Sequence, residues 1–236
     1  IIGSNIANIV LIMGATTVLC PIVNITPNQI SQSAINIVIA FGLIIMSLFM
    51  VQFNPVFGVV TLILLTLIMA YQVKIGSLNF SDVEEKDEYS MLISGALIVI
   101  GIVLLVYGSK FFVSGAVNIA TVYGIPESVI GVSLVAFGTS LPELAVGVLS
   151  AIRKKVDFAL GNVLGSNIYN VLGVLGVTSF FGRFEFPTLI ASFDLYVMTG
   201  VIVFITICMV AMKKLGRLYG IVSLLIYASY ISYLYI

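Results

Sequence analysis

Long apolar runs, broken by short polar stretches, set the plan of this chain. A helix needs about 20 mostly apolar residues to cross a bilayer. On that rule eight spans are expected, at roughly 2–20, 33–52, 55–73, 91–114, 128–151, 159–181, 190–212 and 218–236. The second and third are plain lipid-type runs separated by Asn54-Pro55, a turn signal too short for anything but an antiparallel hairpin. Residues 74–90, KIGSLNFSDVEEKDEYS, are the one sizeable hydrophilic segment, with five acids against two lysines, and they read as a solvated linker. The linker separates residues 1–73, three spans, from residues 91–236, five spans. On the fourth span, small residues at Gly108, Ser109, Ser114, Gly115 and Ala116 are expected to permit close helix packing.

Two neighbouring spans break the apolar pattern. The run beginning GVSLVAFGTSLPELAVG places Thr139, Ser140, Pro142 and Glu143 mid-span, where an ionisable group is costly unless it is partnered or faces a cavity. Pro142 removes a backbone donor and Gly138 loosens the same turn, so carbonyls from Ala136 to Thr139 are expected to be freed from helical partners. A broken helix beside a carboxylate outlines an ion site.

The next run contains GSNIYNVLGVLGVT, from Gly165 to Thr178, and the chain opens with GSNIANIVLIMGAT, from Gly3 to Thr16. Seven of the fourteen positions are identical, including Gly, Ser, both Asn and a later Gly, which marks an internal duplication. The copies open the first and sixth spans. An odd number of crossings lies between them, so they enter the membrane from opposite sides. Inverted repeats with interrupted helices are the architecture of secondary transporters, with the site near the midplane between the halves. The spacing of four puts Ser4 with Asn8, and Ser166 with Asn170, on one helix face, where a hydroxyl and an amide oxygen can serve one ion. Asn5 and Asn167 lie about 100° round the helix from those serines and are assigned to hydrogen bonds with backbone. The glycines at 3, 14, 165, 173 and 176 are assigned to packing.

Composition narrows the class further. The 236 residues are 61% hydrophobic and 8% charged, with no net charge and no histidine. These values describe a polytopic membrane protein and weigh against a catalytic zinc, a histidine proton relay or a nucleic-acid partner. Cys20 and Cys208 lack metal-ligand spacing and read as small membrane-helix residues. If the linker lies on one side, Lys74, Lys86, Arg153, Lys154, Lys155, Lys213, Lys214 and Arg217 share that side, against Lys110 and Arg183 on the other. The positive-inside rule makes the linker side cytoplasmic. The chain begins with Ile1 inside a motif, and further helices are expected upstream.

GVSLVAFGTSLPELAVG followed by GNVLGSNIYNVLGVLG resembles the second α-repeat of the cation/calcium antiporter superfamily, on its sodium/calcium exchanger branch. IIGSNIANIVLIMG resembles the back half of the first α-repeat, and YGSKFFVSGAVNIA the helix before the second. The resemblance implies an all-α, inverted-repeat membrane transporter holding eight of a presumed ten helices, the third to the tenth. It implies a non-enzymatic antiporter exchanging sodium for calcium by alternating access, with no cofactor beyond the transported ions. Carried residue by residue, it makes Glu143 the ligand acid, Thr139 and Ser140 ligands a turn before it, and Ala136 a carbonyl ligand. Ser166, Asn170, Ser4 and Asn8 match the ligands on the following helices. Potassium-dependent relatives carry an acid where Asn170 stands, so the pattern leans toward potassium independence. The short linker fits a prokaryotic exchanger of the inner membrane. A proton/calcium exchanger is the alternative, since Glu143 could accept a proton, although GTSLPE differs from the asparagine-containing form that resembles the proton-coupled branch.

Overall fold

A computed structural model describes residues 1–49, 52–77, 90–182 and 190–236. Most of the linker and Arg183 therefore lie outside the described residues. Among the described residues, seven helices are long and apolar enough to span a membrane, or eight with one bent helix pair taken as a single span. The chain is a multi-pass membrane protein, as its pattern implied.

The elements run in order: α1 Ile2–Leu19, β1 Ile22–Val23, α2 Pro27–Leu48, α3 Pro55–Ser77, α4 Met91–Val122, α5 Glu127–Thr139, α6 Leu141–Ile152, α7 Val156–Thr178, α8 Ile190–Met212, β2 Lys214–Leu215 and α9 Arg217–Leu234. The core forms where α1 passes through the bundle. Ile6, Ile9, Ile12 and Met13 of α1 are fully buried against Leu160 and Leu164 of α7 and Leu195, Met198, Ile202 and Ile205 of α8. Its polar side chains Ser4, Asn5, Asn8, Thr16 and Thr17 are all buried too, and polar groups kept away from lipid suit α1 to the centre.

The repeat reaches further than the fourteen matched residues. Helices α1, α2 and α3 recur as α7, α8 and α9 at the same spacing along the chain. The α2–α8 contact includes a hydrogen bond of 2.6 Å between Ser33 Oγ and Thr206 Oγ1. This is the inverted-repeat architecture, seen through three spans of each half.

Two expectations change, and one small element is added. Helix α2 begins at Pro27, six residues before the expected boundary, because Thr26 and Gln29 form a capping box that polar content alone made look like a loop. Helix α4 continues to Val122, and a Cβ added at Gly108 or Gly115 would meet no atom within 4 Å. Gly108 and Gly115 therefore mark no close helix contact among the described residues. The all-α bundle also carries one small antiparallel ribbon, in which Ile22 pairs with Leu215 and Val23 with Lys214. It joins the turn after α1 to the turn after α8, at the end of the bundle that carries Lys213, Lys214 and Arg217.

Close approach decides one contact at the site. A Cβ on Gly3 would run into the Val132 carbonyl oxygen and lie 2.7 Å from Ala136 Cβ. Only glycine lets α1 lie this near α5, and the next residue along α1 is Ser4.

Candidate ion-binding site

Three of the helices that meet at the site are locally unusual. Ala7–Ile12 of α1, Gly131–Val135 of α5 and Tyr169–Val174 of α7 are π-helical. Such wider turns arise where a residue is in effect inserted into an α-helix, and they cluster at functional sites. Two of them hold the repeat-related Asn8 and Asn170. In the first copy, the Tyr219 hydroxyl of α9 donates to the Ile9 carbonyl at 3.0 Å, satisfying an acceptor within the widened turn. Nothing in the apolar pattern announces these turns; in α1, one added residue leaves no mark because the span is buried on nearly every side.

Between α5 and α6 the axis bends by 45°. The bend falls at Ser140, whose φ of −94° and ψ of 2° are not helical. Pro142 has no N–H to offer the Gly138 carbonyl, so the proline ends α5 as the sequence indicated. The Ala136 carbonyl is not freed, however. It accepts from Ser140 N at 3.2 Å and from Thr139 Oγ1 at 3.0 Å. The last turn before the break closes on itself, and the loss of helical partners begins nearer the proline.

The structure brings most of the candidate residues together. Ser4 Oγ lies 2.7 Å from Ser140 Oγ, joining α1 to the bend. Ser166 Oγ donates to Glu143 Oε1 at 2.8 Å, joining α7 to α6. Asn170 Nδ2 reaches Ser4 Oγ at 3.4 Å, linking the two repeats. Asn8 is fully buried, with its Nδ2 on Asn167 Oδ1 at 2.8 Å. Ala136 is buried beneath Gly3. Thr139 is the exception: it is exposed and its hydroxyl is turned back onto its own helix.

Two buried oxygens in this cluster lack any hydrogen-bond partner, Glu143 Oε2 and Asn8 Oδ1. Buried polar atoms are almost always paired, so unpaired acceptors ask for a ligand. Among the described residues, no three His, Cys, Asp or Glu side chains converge as a metal centre. The cluster is one carboxylate surrounded by hydroxyl and amide oxygens, a set suited to hard cations.

Asn5 and Asn167 bond to backbone as expected, each to the other's carbonyl, at 3.4 and 3.3 Å. The sequence reading passed over Met198, whose sulfur lies 3.7 Å from Asn5 Nδ2, and Asp194 one turn earlier on α8. Asp194 is buried and accepts from the Tyr230 hydroxyl of α9 at 2.9 Å. A carboxylate inside the apolar run 190–212 was a visible signal.

Comparison with known proteins places this geometry. The family model described as sodium/calcium exchanger protein matches residues 93–236. An uncharacterised membrane protein of Methanocaldococcus jannaschii is 34% identical over 226 residues, covering 96% of this chain and 72% of that relative. The sodium/calcium exchanger MaX1 of Methanosarcina acetivorans is 36% identical over 154 residues, 64% of this chain and 41% of its own length. A solved structure of the sodium/calcium exchanger from Methanococcus jannaschii superposes with a TM-score of 0.77 at 32% identity, covering 98% of this chain and 73% of that one. The H+/Ca2+ exchanger CAX shares the fold, with a TM-score of 0.66 and 15% identity over 95% of this chain and 61% of its own. By this match and this architecture, the chain belongs to the sodium/calcium exchanger family.

Proposed function

We propose that the protein exchanges sodium for calcium across a membrane by alternating access, and that the ions bind where α1, α5, α6 and α7 meet. Glu143 supplies the charge, and Ser4, Asn8, Ser140, Ser166 and Asn170 supply neutral oxygens. Both lone pairs of the Ala136 carbonyl are taken, by Ser140 N and by Thr139 Oγ1, so Ala136 and Thr139 join only if that hydroxyl turns away from the carbonyl. The observation that carries this reading is the pair of buried, unpartnered acceptors, Glu143 Oε2 and Asn8 Oδ1, within one cluster between the repeats.

Calcium takes about six to eight oxygens with carboxylates among them, while sodium accepts fewer charges, so one cluster can serve each in turn. An ionised carboxylate in the membrane interior is costly without a counter-ion. That cost holds back an unloaded carrier from switching sides and so enforces exchange over leak. The chain's own residues do no bond-making chemistry in this scheme.

Glu143→Gln keeps the shape and removes the charge. Sodium-gradient-driven uptake of radioactive calcium into proteoliposomes is expected to fall to background in this variant of the full-length exchanger, with insertion unchanged. Uptake near the parent level would overturn the site. In sodium-free buffer a pH gradient is expected to drive no uptake; if it does, the proton-coupled reading replaces this one.

A further inference from the structure

Four asparagines at repeat-related positions form a closed set of directional bonds. A backbone carbonyl can only accept, which fixes the direction of everything attached to it. The Asn167 carbonyl takes Asn5 Nδ2 at 3.4 Å, and the Asn5 carbonyl takes Asn167 Nδ2 at 3.3 Å. With its nitrogen so committed, each of these amides turns its oxygen the other way. Asn5 Oδ1 then accepts from Asn170 Nδ2 at 2.9 Å, and Asn167 Oδ1 accepts from Asn8 Nδ2 at 2.8 Å. Both relays cross between repeats, and both end on a residue of the cluster. At the end of one of them, Asn8 Oδ1 is buried and has no partner.

An asparagine amide is nearly symmetric in shape, and turning it by 180° exchanges an acceptor for two N–H donors. A donor pointed at a cation repels it. From these bonds we infer that Asn5 and Asn167 are positioning residues that fix the amide polarity of Asn170 and Asn8, so that a bound cation meets oxygens and not N–H groups. Each repeat sets the ligand of the other: Asn5 acts through Asn170, and Asn167 acts through Asn8. Met198 Sδ, 3.7 Å from Asn5 Nδ2, is a weak acceptor that favours the same orientation.

This inference rests on the proposed ion site and deepens it. The test is a set of double-mutant cycles on the full-length exchanger in proteoliposomes, read as the apparent KM and maximal rate of sodium-driven calcium uptake. Asn5→Leu and Asn167→Leu are each expected to raise the KM for calcium about tenfold, close to 1.4 kcal/mol, with the maximal rate changed less than about twofold. In an Asn170→Ala background, Asn5→Leu is expected to add little, while in an Asn8→Ala background it adds its full effect. Asn167→Leu is expected to show the reverse pattern. Equal additivity in both backgrounds would overturn the relay, since a merely structural residue does not choose between the two ligands. Should the leucine variants fail to give monodisperse protein, Asn5→Ala and Asn167→Ala take their place. Failure of these as well would assign the pair to folding and overturn the inference. If Asn170→Ala and Asn8→Ala both transport like the parent, the proposed ion site itself fails. If they are impaired but the cycles are additive, only the relay fails.

Discussion

Glu143 enters the membrane interior with one carboxylate oxygen held by Ser166 and the other held by no hydrogen bond. A hydrogen bond to a charged group contributes about 1.5–3 kcal/mol. Ser166→Ala is therefore expected to weaken apparent affinity for calcium by roughly 10- to 100-fold, and Ser166→Thr to recover most of it by restoring the hydroxyl. Equilibrium binding by calorimetry checks both; unchanged affinity in the alanine variant would separate Ser166 from the site. At this scale the sequence was informative because polar residues in apolar runs are conspicuous. The serines, asparagines and acid that stood out are the ones brought within hydrogen-bond reach of one another. Thr139 stood out equally and lies apart, because a threonine hydroxyl can satisfy itself on a carbonyl three or four residues earlier and needs no cluster. Nor does sequence reveal which end of an amide faces which neighbour, since that direction is set by carbonyls arriving from the other repeat.

At the scale of elements, apolar run length located the spans, and most boundaries fell within a few residues. The start of α2 was hidden by its own cap, and the length of α4 by the polar and small residues scattered along its second half. The three π-helical turns left no trace at all. They matter because a widened turn rotates the residues beyond it relative to those before it. How α1 meets α5 was also out of reach, since Gly3 reads as one small residue among many. Its lack of a side chain sets the helix separation that places Ser4 beside Ser140. Gly3→Ala would drive a methyl into the Val132 carbonyl, a backbone atom that cannot swing aside. This variant is expected to lower both the melting temperature and sodium-driven calcium uptake, whereas Gly200→Ala, with no atom within 4 Å of the added carbon, leaves both unchanged. Detergent-solubilised thermal unfolding with uptake on the same preparations checks the pair. An undisturbed Gly3→Ala protein would show that α1 and α5 can separate at no cost to the site.

Across the whole molecule, the inverted duplication was legible from fourteen residues and a count of crossings. The remaining two spans of each half share no such signature. They match in position because they must close around the same core, and lipid-facing side chains are free to differ. The ribbon of Ile22–Val23 with Lys214–Leu215 was invisible, being two residues long on each side. It nevertheless constrains how access can alternate. The first strand follows a helix of the first repeat and the second a helix of the second, so the halves are tied edge to edge at this end of the bundle. They cannot part there like opening jaws. Any rocking must turn about the ribbon as a fulcrum, and the water path must open to one side of it. A disulfide between Val23→Cys and Lys214→Cys, with Cys20 and Cys208 replaced beforehand, is accordingly expected to leave sodium-driven calcium uptake intact. If locking that pair stopped transport, the fulcrum would have to lie elsewhere.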